Sequence, residues 1–340
     1  MGFRVLYHLN TSNLKGVAEE AVWAESMGYD GLCTEDAAHD PMLPLMMAAS
    51  KTSRVTLEPR VAIAFPRSPM VIAYTARDLQ DYSGGRFRLG LGTQVKGHIQ
   101  RRFSTEWTSP GPRMREYVQS LHAIWKSWET GDGLSYHGEH YNFSLMTPFF
   151  SPGGSEQPRP PVFISAVNPY NCRVAGEICD GIALHPITSP KYLKEVIKPG
   201  LAAGAAIANR DLSDINLSSS AFVVTGKNQA AIDANKESVK KQLAFYFSTR
   251  SYSKVLEVHG FEDLGLWLHE MSLKQQWDQM SGLITDEILD AFAIVGGYSE
   301  IPALMKERFE GQLDEVVFNA GGPGISNETE IQNVIKGLQG

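Results

Sequence analysis

Nine polar residues in this 340-residue chain each sit just after a short apolar run: His8, Glu35, Asp36, His39, Gln94, His98, Ser165, Asn168 and His185. Imidazoles and carboxylates placed together are the side chains that move protons near neutral pH, so general acid–base work is the chemistry they suggest. Four histidines could also suggest a metal. They are dispersed, however, and show neither H-E-x-x-H nor facial-triad spacing, so no metal site is expected. No G-x-S-x-G elbow and no Cys–His nucleophile pair is present, which disfavours acyl transfer. A chain with acid–base groups but few reactive side chains is consistent with a bound cofactor that carries the difficult step.

These residues need elements that bring them to one place. Arg4 to Leu9 reads as a short strand, followed by the helical stripe Leu14, Val17, Ala18, Ala21 and Ala24, which stops at Gly28. Short apolar runs recur at 31–34, 61–64, 162–166 and 181–184. Each is followed by a cap-and-proline pair that opens a helix: Asp40-Pro41, Ser68-Pro69, Asn168-Pro169 and Ser189-Pro190. Proline costs nothing at the first helical position because the N–H it lacks would have no intrahelical partner there. Adding Phe87 to Gly92, Leu217 to Val224 and Val316 to Phe318, each with a following helix, gives about eight strand–helix units. Regular alternation demands parallel strands, and this count predicts an α/β fold, a closed (β/α)8 TIM barrel with insertions. No G-x-G-x-x-G follows the first strand, which argues against an open dinucleotide-binding sheet. In such a barrel the carboxyl ends of the strands build the site, and that is where all nine polar residues fall.

The chain reads as one barrel domain over 1–340, with insertions at about 131–161 and 229–289. The first insertion reads as a hairpin and loop. The second should be largely helical, with Phe245, Tyr246, Phe247, Tyr252, Trp267 and Trp277 mostly in its core, near the barrel mouth. The strand at 87–92 alternates Phe87, Leu89 and Leu91 with Arg88, Gly90 and Gly92. If the apolar face meets the helices, the two glycines give clearance inside the barrel for a flat ring, and Arg88 points inward and requires a carboxylate partner.

The net charge of -7, with no long basic run, removes the electrostatic footprint of nucleic acid or an anionic membrane. No stretch approaches the roughly 20 apolar residues of a membrane helix, and the start lacks a signal-peptide core, so a cytoplasmic location is expected. Cys33, Cys172 and Cys179 show no pairing pattern and read as small buried side chains. Ser165 to Pro169 forms a phosphate-sized cradle, with the Tyr170 and Asn171 amides at a helix N-terminus; the alternative is that Asn168 merely caps that helix.

Three segments together resemble the bacterial luciferase-like monooxygenase superfamily: Ser83 to Phe87 with LGLGT, Tyr136 to Tyr141, and Arg173 to Glu177 leading into Asp180-Gly181. The resemblance covers nearly the whole chain, and residues 92–103 look most like the branch that uses coenzyme F420, a deazaflavin. It implies an F420-dependent oxidoreductase that moves a hydride to or from a small organic substrate. The alternatives are an FMN-dependent two-component monooxygenase, or a non-redox barrel lyase, isomerase or ligand-binding relative. It also implies cofactor contacts at Glu35, Ala62, Ile63, Gly92, Gln94, His98, Ser165, Ala166, Val167 and Asn168. Glu35 takes the family's acidic place at the second strand, whereas Asp36 stands where some members carry a catalytic histidine. His39 and His98 are then the candidate proton donors. A non-proline cis peptide is implied near Ala62-Ile63-Ala64, and a homodimer is implied as well. The resemblance leaves open a separate reductase that supplies reduced cofactor.

Overall fold

The computed structural model describes residues 2–340. Its principal sheet is parallel and follows the chain around a barrel. The first strands are β1 (Arg4–His8), β2 (Gly31–Thr34), β3 (Thr56–Pro59), β4 (Ala62–Ile63) and β5 (Leu89–Gly92). A short antiparallel hairpin follows, of β6 (Tyr136–His137) and β7 (Asn142–Phe143), as expected for the first insertion. The barrel resumes with β8 (Val162–Ser165), β9 (Gly181–Leu184) and β10 (Asn216–Ser219). Next come β11 (Phe222–Val224) and β12 (Ala293–Val295), and the last strand is β13 (Glu315–Val317). The barrel order is β3-β2-β1-β13-β10-β9-β8-β5-β4. Its two edges belong to one bent third strand, because β3 and β4 are consecutive in sequence and Leu57 bridges to Phe87. The ring therefore closes into the expected eight-stranded architecture.

Three local features differ from the expectation. The run 217–224 is two strands: β10 stays in the barrel, while β11 leaves it to pair with β12, the return strand of the second insertion. Asp40 caps its helix as expected, with Oδ1 accepting from the Met42 and Leu43 amides, but the helix begins at Met42, one residue beyond the proline. The cis peptide lies at Arg60-Val61, between β3 and β4, just upstream of the expected Ala62-Ile63-Ala64.

The alternation on β5 resolves as expected. Leu89 and Leu91 are fully buried on the helix side, and Arg88 points into the barrel. The glycines, however, clear protein rather than a ring. A Cβ on Gly90 would stand 2.1 Å from the Pro59 carbonyl oxygen, and one on Gly92 would stand 2.5 Å from a Val61 methyl. The third strand crosses so closely that it uses the space itself. Gly90→Ala is therefore expected to destabilise the fold by about 3 kcal/mol or more, since a backbone atom cannot move aside as a side chain can. Gly133→Ala is the control, with nothing within 4 Å of its added methyl. Urea denaturation of both variants checks this, and a Gly90→Ala cost as small as the control's would show that the strands do not approach so closely.

The second insertion is helical, as expected, with helices such as Gln229–Phe247 and Glu262–Leu273. The expectation that its aromatics are mostly core holds for Phe247, which is 2% exposed, but not for Phe245, Trp267 and Trp277, which are 54%, 57% and 47% exposed. The three cysteines are free and buried. Among the described residues no helix is long and apolar enough to cross a membrane.

Candidate functional site

The carboxyl face holds a cavity of about 770 Å³ between the loops after β1, β2 and β13, lined in part by His8, Glu35, His39 and Asn319. His8 ends β1, on the strand face that carries Arg4 and Leu6, so strand geometry aims its imidazole along the barrel interior. Its backbone is fixed by a residue from the far end of the chain: the His8 N–H donates to Asn319 Oδ1 at 2.8 Å, and the Asn319 amide donates to the His8 carbonyl at 2.9 Å. Asn319 thus lengthens the β1–β13 pairing by one carboxamide. Burial lowers the His8 pKa below its ordinary value; Glu35 opposes this, and Arg60 adds to it.

Arg60 lies beneath, almost wholly buried. It donates to Ser218 Oγ at 2.8 Å and to the Ser218 carbonyl at 3.2 Å, and its Nη1 is 3.4 Å from Glu58. On the outer side of β1, the Tyr7 hydroxyl meets the buried Glu20 carboxylate at 2.7 Å, and Glu20 also accepts from the Asn10 amide at 3.2 Å. Glu19, Glu20 and Glu35 line the cavity and no Lys or Arg does, so it suits a neutral or cationic guest better than an anion.

A second wall comes from the insertion. His185, at the end of β9, meets Tyr246 edge-on with ring centroids 4.6 Å apart and Tyr252 at 4.8 Å. Burial and then Glu35 raise the Tyr246 pKa, so that phenol shares the mouth with Glu35. Burial pushes His185 down to about 4, and also His122, which packs near Trp125 on the outer helix Pro110–Thr130. Because the folded values lie below the unfolded one of about 6.5, protons bind the unfolded chain preferentially. Their contribution to stability is then complete above about pH 6.5, is lost as pH drops toward 4, and is spent below it. Each histidine contributes up to about 3 kcal/mol to this loss. Chemical denaturation at pH 7.5, 6, 5 and 4 measures it. His122→Leu should flatten the slope by roughly its share, and an unchanged slope would exclude His122 as a source.

Of the nine polar residues, the structure brings His8, Glu35 and His39 to one cavity. His98 lies elsewhere, exposed on the short helix Lys96–Arg101. Gln94, at φ 55°, turns its side chain back to accept from the Val95 amide at 2.9 Å. Ala62, Ile63, Gly92, Ala166 and Val167 are buried beneath the mouth, whereas Ser165 is half-buried and Asn168 exposed. Asn168 makes no cap hydrogen bond, so the capping alternative is set aside and the first-turn amides of helix Pro169–Ile178 are left uncapped by it. The Val167 carbonyl is pinned by the Tyr192 hydroxyl at 2.9 Å. Asp36 does not take a histidine's place: its carboxylate accepts from the Ile63 amide at 2.9 Å and from Arg67 at 2.5 Å.

Sequence reasoning had no signal for Asn319 or Arg67, since each acts on a residue distant in the chain. Arg60 could have been found, because it lies two residues after Glu58 on one face of a strand.

The carboxyl mouth of the closed parallel barrel thus gathers half-buried imidazoles, a carboxylate and a helix N-terminus without a side-chain cap. The luciferase-like monooxygenase family model matches residues 2–315, and the chain belongs to that family. It is 45% identical over 306 residues to an uncharacterised protein of Mycobacterium tuberculosis, with 90% of each chain covered. It is 26% identical over 324 residues to the 5,10-methylenetetrahydromethanopterin reductase of Archaeoglobus fulgidus, covering 92% of this chain and 91% of that one. Among solved structures, the coenzyme F420 dependent tetrahydromethanopterin reductase of Methanopyrus kandleri superposes with a TM-score of 0.77 at 21% identity, over 99% of this chain and 97% of that one.

Proposed function

We propose that the protein is an F420-dependent oxidoreductase that moves a hydride between the deazaflavin and a small organic substrate. The observation that carries this reading is the likeness, over 92% of this chain, to a methylenetetrahydromethanopterin reductase, together with a fold shared with a tetrahydromethanopterin reductase that is coenzyme F420 dependent. The residues present fit such a cofactor. The uncapped amides of Tyr170 and Asn171 suit its phosphate, and Ser165 to Asn168 would hold the adjoining tail. Ala62 and Ile63 of β4 would support the ring. When bound, the deazaflavin accepts or supplies the hydride.

The chain's own part is to manage the proton and shield the reaction. His8 is neutral at pH 7, because burial holds its pKa below the ordinary value. It therefore accepts a hydroxyl proton as hydride leaves the adjoining carbon, and returns that proton in the reverse direction. His39 shares the cavity and is the next candidate for this role. Tyr246, Tyr252 and His185 wall the mouth and limit water. A homodimer and a cytoplasmic location belong to the same proposal.

Titrating cofactor-free protein with F420 and with FMN tests it. F420 is expected to bind at least about tenfold more tightly, a difference of about 1.4 kcal/mol. Tighter FMN binding would overturn the assignment in favour of a flavin monooxygenase. Binding of neither would favour a non-redox barrel.

A further inference from the structure

The loop after β2 carries Glu35 and His39 into the cavity, and these two residues bracket Asp36 and come just before Asp40. Both aspartates are held by one side chain. Arg67 Nη1 donates to Asp36 Oδ2 at 2.5 Å, and Arg67 Nη2 donates to Asp40 Oδ2 at 3.3 Å. Arg67 is itself anchored at both ends. Its Nη1 donates to the Ile63 carbonyl at 3.0 Å, and its own carbonyl accepts from the buried Tyr117 hydroxyl at 3.0 Å. Asp36 Oδ2 also accepts from the Ile63 amide at 2.9 Å. Both backbone groups of Ile63 are thus met by the Asp36–Arg67 pair rather than by another strand. A guanidinium can serve two carboxylates at once because its donors fan out from one rigid plane, which an ammonium cannot reproduce.

We propose that Arg67 is a positioning residue: by clasping Asp36 and Asp40 together it sets the loop that presents Glu35 and His39, and with Asp36 it fixes the end of β4 beside them. Asp36 serves as a hydrogen-bond acceptor in this clasp and not as a proton donor to substrate. The catalytic consequence rests on the proposed oxidoreductase reading, whereas the structural consequence does not.

Hydrogen exchange followed residue by residue, together with F420 turnover, tests the clasp. In Arg67→Met, exchange of the Ile63, Met42 and Leu43 amides, which donate to Asp36 and Asp40, should rise at least about tenfold while β1 and β9 stay protected, and kcat/KM should fall about tenfold or more. Arg67→Lys keeps a charge for one aspartate only and should recover part of both effects. Asp40→Asn, at the more exposed end, should give a smaller rise in the same residues, and it keeps the test decisive if Arg67→Met does not fold. Exchange unchanged in Arg67→Met, or in Asp40→Asn where the former does not fold, would overturn the proposal. So would lysine behaving like methionine in both readouts. If the unaltered protein turns over no substrate with F420 yet the exchange pattern appears, the clasp stands and the cofactor reading fails.

Discussion

Arg88→Met is expected to cost about 3–5 kcal/mol of stability, the range for removing one partner from a buried ion pair. The Arg88 guanidinium lies inside the barrel, with both Nη atoms 2.8 Å from the Glu315 carboxylate and Nη2 2.7 Å from Glu58 Oε2. The Phe163 ring lies 4.7 Å below it. Burial opposes its charge, but the two carboxylates outweigh burial and raise its pKa; in return Arg88 holds Glu315 below the usual carboxylate range. Arg4 reaches Glu315 at 2.9 Å and Arg60 approaches Glu58 at 3.4 Å, so neither carboxylate would be wholly alone after the substitution. Methionine fills similar volume but leaves two buried anions with their main cation gone. Adding Glu315→Gln to Arg88→Met should recover part of the loss, because one stranded charge is then removed. Urea denaturation of the single and double variants checks both statements, and a single-variant cost below about 1 kcal/mol would mean that the network does not hold these strands together.

Substitution of His8 carries the largest expected effect on turnover. His8→Ala should lower kcat by about 10²–10⁴, the range for losing a positioned general base, while F420 affinity stays within about threefold. The unaltered protein should lose activity in the oxidising direction as pH falls below 6.5, through the depressed His8 pKa, because only the neutral imidazole accepts the proton. That acid limb should vanish in His8→Ala. Steady-state rates from pH 4.5 to 8 measure both. A His8→Ala variant that keeps wild-type turnover and its acid limb would move the proton transfer to another group, with His39 next in the same cavity.

Much of the barrel was legible because it rests on local rules. Strand alternation is fixed by covalent geometry, so the pattern Arg88, Gly90, Gly92 was enough to place Arg88 inward and to demand a carboxylate partner. The identity of that partner was not legible, since Glu315 lies 227 positions away. Cap-and-proline pairs marked helix starts because an unsatisfied N–H is a local problem with a local solution. Missing side chains at Gly90 and Gly92 showed that something approaches closely, but only the fold decided that it is the third strand and not a ring.

The site divides in the same way. The sequence by itself determined that His8, Glu35, His39, Ser165 and His185 stand at the carboxyl ends of parallel strands, since period and punctuation are written along the chain. Tertiary structure decided which of them meet. Asn319 ties the end of the last strand to His8, Arg67 draws Asp36 into a clasp, and the insertion sets Tyr246 and Tyr252 against His185 while leaving Trp267 and Trp277 in solvent. Burial then lowered the pKa values of His8 and His185. Those outcomes depend on closing loops tens to hundreds of residues long and on removing water from the enclosed groups, and neither is encoded in any short stretch of sequence.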